Sequence, residues 1–545
     1  MTTYDMLLFG DIRTMQPQLP TVQAVAVTNG TIAWIGSKAD AEQLQAHETQ
    51  DFGTQVVLPG FVDAHIHPIL GAELARGIDL SEVTTTDQLD AILQQTAANT
   101  PDDEWIFAWG LDPTIVADRN ISAADIDRSV FAHPVFIRMF DAHSGVVNTR
   151  ALDLARLDGT EQFSSRSEVE VDANGRPTGF LKEWEAMNLV NQVMPPISME
   201  TRLALFLDVL ENMADEGITG GQILDRTDGM LDLVRAAEQR GDLPIRLTFS
   251  PWIMPGDQDD VITDIIDMQG NTGDRWTVDG VKLMIDGTID NGTSWLSYPD
   301  VNGQSTRPLW LDPESYRNVL LRLDAAGIRT TTHAIGDAGV AYVLDVIGET
   351  TQPHATDGDP GHRIEHIETL PDRLVPRFTE VGAAVSMQPR HCTLFCSADG
   401  SDNWSQRLGD DRRHDAWRLN SIRQTGAVVA IGSDWPVAPS DPLKIIAEGE
   451  LRREVGKPDV EPVVPDEALS REALIAGYTS ERARSWGDTE RGMIAVGKLA
   501  DFTILDQDIF EVDADDLPAV NAVATVIGGK VRLRRSNIAA QAPIV

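Results

Sequence analysis

Cysteine is nearly absent: Cys392 and Cys396 are the only two in 545 residues. A single bridge cannot staple a chain of this length, which excludes a disulfide framework and predicts a reducing, cytoplasmic setting. Lysine is scarce too, confined to Lys38, Lys182, Lys282, Lys444, Lys457, Lys498 and Lys530. Basic residues number 44 against 85 acidic ones, a formal net charge of −41. Such a field repels nucleic acid and anionic membranes. It suits a saline source or an ordinary acidic cytosolic enzyme equally. No window approaches the ~18 consecutive apolar residues of a spanning helix. The opening MTTYDMLLFGDIRTM lacks a basic segment and a long apolar run, so no secretory leader is expected.

What is present reads as globular, with 42% hydrophobic and 24% charged residues. The length exceeds one ordinary core and suits a large barrel enzyme with an accessory domain. Both ends carry short apolar runs broken by turns: AVAVTNGTIAWIGS with Asn29-Gly30, then GKLADFTILD and AVATVIGGKVRLR with Gly528-Gly529. Short strands cannot bury a face alone, so residues 1–57 and 488–545 are expected to pair into one small sheet domain. Between them, helix-period stretches such as TRLALFLDVLENMADEG alternate with buried-strand runs such as GVKLMIDG, GIRTTTHAIG, HRIEHIE and AVVAIGSD. That alternation predicts an α/β chain with a (β/α)8 TIM-type barrel over 58–487. Counting PVFIRMF gives one strand too many. The stretch from 68 to about 215 is too long for barrel loops and predicts an insertion covering the mouth.

Eleven histidines are present. His47, His133, His354, His362 and His414 sit among polar or turn residues and read as solvated or satisfied. The rest fall at strand ends, where barrels collect reacting groups. In LPGFVDAHIHP, His65 and His67 share one strand face, as two ligands of one metal ion would. Asp63 shares that face and is a candidate to orient a ligand. His333, His366 and Asp434 each end an apolar run, and a carboxylate after VVAIGS needs a positive partner or a proton. Lys282 lies inside an apolar strand. It is either a salt-bridged core residue or a lysine carbamylated to an anionic bridge between metals.

The pieces PGFVDAHIHP, DAHSGVVNTRAL, GFLKE, VKLMIDGTIDNGTSW, THAIGDAG, HRIEHIE, IGSDWPV and GKLADFTILD together resemble the amidohydrolase superfamily, in its YtcJ-like (amidohydrolase 3) branch. N-substituted formamide deformylase is a characterised activity there. The resemblance spans nearly the whole chain. It implies a metal-dependent barrel and a composite β-sandwich built from both termini. By position, His65 and His67 would bind one metal and Lys282 would bridge as carboxylysine. His333 and His366 would hold a second metal, and Asp434 would bind metal and shuttle the proton. Glu183 is a further bridging candidate, or a surface salt-bridge residue. The nitrogen and oxygen donors favour Zn2+, one ion or two, with other divalent metals open.

Such a set would activate water against a small-molecule amide, with Asp434 passing the proton to the leaving nitrogen. The expected function is hydrolysis of a nonpeptide C–N bond in an N-substituted formamide or related linear amide. A deaminase, carbamate or urea hydrolase uses the same residues, and a catalytically idle binding barrel is the alternative of another class. His143, Trp295, His391 and Trp435 are candidate substrate contacts; Trp105 and Trp109 read as core. Asp286 and Asp337 would steady loops, and the C-x3-C pair reads as buried small residues rather than a metal site. A homodimer is the default assembly.

Overall fold

The computed structural model describes residues 3–74, 77–116, 119–350 and 360–535; His354 lies outside them. The two chain ends meet in a seven-stranded sheet. Its order is Lys530–Leu533, Ala522–Ile527, Phe502–Leu505, Gln45–Pro59, Thr3–Arg13, Thr21–Thr28 and Thr31–Gly36. Phe502 pairs with Pro59 across an antiparallel ladder. The period-2 pattern explains why both faces are covered. Met6, Leu8, Val57, Phe502 and Ile504 enter one apolar cluster, and Leu7, Phe9, Ala24 and Ala26 enter another. Hydrogen bonding joins these strands in one continuous sheet.

The middle of the chain is mixed α/β. One parallel sheet runs Trp276–Val278, Arg246–Phe249, Ile218–Ile223, Phe61–Ile66. A second runs Val281–Met284, Thr330–Ala334, His362–His366, Ala384–Met387, Val429–Ile431. Most of these strands are buried along their whole length, as expected where helices cover a parallel sheet. The sheets are separate in their hydrogen bonding and touch at two parallel bridges, Trp252 with Lys282 and Ile66 with Trp435. The helix Met199–Asp215 shows how the covering layer is encoded. Ser198 caps it by accepting from the Thr201 backbone N–H, an interaction worth ~1 kcal/mol. Leu203, Phe206, Val209, Leu210 and Met213 line its buried face.

Residues 78–182 contribute a third, mixed sheet in the order Glu168–Val171, Pro177–Lys182, Ser144–Val147, Val135–Met139, Ile106–Leu111, Ile78–Asp79. PVFIRMF belongs here, outside both parallel sheets. This sheet has its own core around Leu80, Leu89, Ile126 and Ile137. Among the described residues no helix is long and apolar enough to cross a membrane.

Candidate metal centre

Parallel register sets the depth of each side chain. Met284 lies beside His333, and His333 beside Glu365, so Lys282 sits two residues deeper than His333. His366 stands one residue beyond Glu365, at the strand end, with φ 72°. Asp434 follows the strand Val429–Ile431 and has φ 60°. Left-handed backbone at bulky residues is costly and clusters where surroundings over-determine it. Here the determinants are visible. Asp434 N–H donates to the His65 carbonyl at 2.8 Å, and His67 N–H donates to the Trp435 carbonyl at 2.9 Å. Gly432 permits this approach, since a Cβ there would lie 2.8 Å from that of His65.

The side chains converge. His65 Nε2 and His67 Nε2 are 3.1 Å apart. Asp434 Oδ1 is 3.2 Å from the first and 3.1 Å from the second. Ligand atoms of His65, His366 and Asp434 all lie within 4.8 Å of one another. The far nitrogens are held by carboxylates: His65 Nδ1 by Glu365 at 2.7 Å, and His67 Nδ1 by Asp225 at 2.6 Å. Each carboxylate fixes Nδ1–H and turns the Nε2 lone pair inward, the usual support of a ligating imidazole. Burial, with the Lys282 charge nearby, pushes His65 down to about 4. Burial opposes charge on His67 as well, but Asp225 and Asp434 outweigh it and carry that ring to about 9. Burial would raise Asp434, yet the surrounding histidines hold it well below the usual carboxylate range. The cluster therefore demands positive charge, which a proton on His67 or a metal cation can supply.

Lys282 is buried, with no hydrogen-bond partner at Nζ, and burial pushes it down to about 8. It is not salt-bridged, contrary to one of its two expected roles. His333 stands beside the cluster, its ring 4.5 Å from that of His366 and its Nε2 3.2 Å from the Gly287 carbonyl. Glu183 is buried, which corrects its surface alternative. Its Oε2 accepts from His143 Nδ1 at 2.8 Å, and Oε1 has no partner. Asp63 does not orient an imidazole. It accepts from the backbone N–H groups of His65 and Ser433, pinning the two ligand segments together.

A cavity of about 70 Å³ opens above this floor. His143 and His391 line it, the latter with Nε2 3.9 Å from Asp434 Oδ2. Trp295 and Trp435 are not among its lining residues. Trp295 packs against Tyr342, and Trp435 against the cluster that includes Ile66 and Met213. The aromatic wall is instead Trp184, Trp252, Phe140 and Phe395. Asp286 accepts from Trp295, Ile335 and Gly336 N–H groups, and Asp337 from Ser297, so both steady loops. Cys392 and Cys396 are buried, with thiols pushed up by burial. His133 and His362 are buried and bonded, while His47 and His414 are exposed. Sequence reasoning missed Asp225 and Glu365. Asp225 was findable, because it ends GITGGQILD at the same strand-end address as Asp434.

A model of the amidohydrolase family matches residues 48–533. The chain belongs to the amidohydrolase family. Members of that family are hydrolases. The chain is 26% identical to a putative amidohydrolase, YtcJ, of Bacillus subtilis, over 97% of this chain and 99% of that protein. It is 23% identical to the N-substituted formamide deformylase of Arthrobacter pascens, over 97% and 98%. The fold is shared with a solved uncharacterised metal-dependent hydrolase from Pyrococcus horikoshii. That match has a TM-score of 0.72 at 23% identity, covering 93% of this chain and 99% of the other.

Proposed function

We propose that this amidohydrolase is a metal-dependent enzyme that cleaves a nonpeptide C–N bond, in an N-substituted formamide or related linear amide. The observation that carries the proposal is the pair of Nε2 lone pairs turned toward one point by Glu365 and Asp225, with Asp434 and His366 beside them. Two further buried polar atoms without partners, Lys282 Nζ and His366 Nδ1, suit a bound cation and a carbamylated lysine. The nitrogen and oxygen donor set favours zinc. We take the two parallel sheets, bridged at both ends, as a (β/α)8 barrel, and the ligands as sitting at its C-terminal rim.

His65, His67, His366 and Asp434 would hold one cation, and Lys282 with His333 would take part in a second. When bound, such a cation supplies Lewis-acid polarisation of a carbonyl and a water with pKa of about 7. Asp434 accepts the proton of the attacking water at a carboxylate oxygen and returns it to the leaving nitrogen as the C–N bond breaks. Burial opposes charge on His143, but Glu183 and Asp141 raise its pKa, and the ring lines the cavity where it would meet the amide oxygen. The Trp184, Trp252, Phe140 and Phe395 wall would receive an apolar amine substituent.

The test is metal analysis of purified protein, then chelation and re-metallation against N-formyl amines, carbamates and ureas. Zinc-restored turnover of N-formyl amines is expected. Absence of metal and of turnover would indicate a binding barrel, and preference for carbamates or ureas would move the substrate class. Lys282→Ala should lower metal content, with partial rescue by short carboxylic acids; full occupancy would favour a single-cation site.

A further inference from the structure

One wall of the cavity is acidic. Asp141, Asp290 and Glu368 line it, and among the described residues no lysine or arginine forms a salt bridge with any of them. Arg407, whose charge reaches Asp290, is itself paired with Asp300 at 2.9 Å. Consecutive residues at the start of the helix Asn403–Leu408 hold two of the acids together. Asn403 Nδ2 donates to Asp290 Oδ1 at 2.8 Å, and Trp404 Nε1 donates to Glu368 Oε2 at 2.9 Å. The other oxygen of each, Asp290 Oδ2 and Glu368 Oε1, accepts no hydrogen bond from the described residues. Carboxylates that only brace the fold are treated differently. Asp286 takes three backbone N–H groups, and Asp141 is filled by Thr288, Asn291 and the His143 N–H.

His391 supplies an observation of another kind. It is 3% exposed, its ring is hydrogen-bonded to the Ser433 backbone, and its Nε2 is buried with no partner. It lines the same cavity, its ring 5.4 Å from that of Phe395, which lies 4.6 Å from Phe140. Free acceptors beside aromatic faces suit one kind of partner, a cation that carries several N–H donors. The metal cluster does not account for this wall, because its imidazoles already have Glu365 and Asp225 behind them and Asp434 among them.

We propose that Glu368, Asp290 and His391 form a subsite for an alkylammonium group on the substrate. The inference rests on the hydrolase reading for the ligand's being a substrate, and it narrows the class to an amide whose apolar stem ends in a protonated amine. The three N–H donors of a primary ammonium group meet three free acceptors in one wall. The cavity has room for roughly five to seven waters at ~10–15 Å³ each, so the stem is short. Mono-acylated short diamines have this form. A net charge of −41 also draws such a cation toward the protein.

The test is calorimetric titration of the full-length, metal-loaded protein at neutral pH with butylammonium and with its neutral isostere 1-butanol. Glu368→Gln and Asp290→Asn should each weaken butylammonium binding about ten-fold at unchanged metal content. Binding of 1-butanol should change less than about two-fold. Equal butylammonium affinity in wild type and both variants overturns the subsite and assigns amine binding to the metal. Loss of metal in step with loss of binding also overturns it, since the acids would then serve the metal cluster. Should neither variant fold, tetramethylammonium decides on the wild type, because it has no lone pair to offer a metal. Binding tighter than that of tert-butanol supports the subsite, and binding no tighter overturns it. Ligand binding needs no turnover, so the two proposals fail separately. Glu368-dependent binding without hydrolysis of any amide would sink the hydrolase reading alone. Equal kcat/KM for N-(3-aminopropyl)formamide and N-butylformamide, with Glu368-independent binding, would sink the subsite alone.

Discussion

The seven-stranded terminal sheet and the cavity floor are built from the same kinds of strand, yet they spend their residues differently. In the sheet, alternate residues enter two apolar clusters, and four of its six ladders carry a register bulge that this packing absorbs. On the floor, His366, Ile367, Asp434 and Glu183 adopt left-handed backbone, and buried nitrogens of Lys282 and His366 lack partners. The irregularities of the sheet are bulges between packed strands, whereas the floor gathers left-handed backbone and unpartnered buried nitrogens within one small volume. Such concentration marks a site whose geometry serves chemistry.

Substitutions can break or sharpen this contrast. Asp434→Asn should cost about 10²–10⁴ in kcat, with melting temperature and metal content close to wild type; normal turnover would remove Asp434 as the proton carrier. On the other side of the comparison, Phe502→Ala should destabilise by about 3–5 kcal/mol, measured by denaturant titration. The folded fraction should keep wild-type kcat and metal stoichiometry, and a selective loss of metal would couple the two regions. Glu365→Gln should weaken metal binding about 10–100-fold in a competition assay with a chromogenic chelator. If affinity is unaltered, the carboxylate does not orient His65. Smallest of all, Lys38→Ala removes an exposed pair with Asp51 at 2.8 Å and should leave the melting temperature and activity unchanged.

The contrast also explains what could be read from the sequence. The terminal strands announced themselves through turn dipeptides and apolar runs, which are local signals. His65, His67, His366 and Asp434 were legible because a polar residue closing an apolar run is rare and has few structural uses. Asp225 carried the strand-end signal, but Glu365 is one carboxylate in a chain rich in them, and only its pairing with His65 across 300 residues distinguishes it. Trp435 was misjudged for a simpler reason. Asp434 takes a left-handed turn after the strand, and adjacency in sequence does not carry its direction over to Trp435.

The meeting of the two termini has a consequence for biogenesis. Phe61 N–H bonds to the hydroxyl of Thr503, a residue 442 positions later. At about 5–20 residues per second of synthesis, the ribosome takes roughly 20–90 s to deliver that partner. Through this interval the early strands wait with an unpaired edge, and nascent chains stalled before residue 502 should be the ones that chaperones retain.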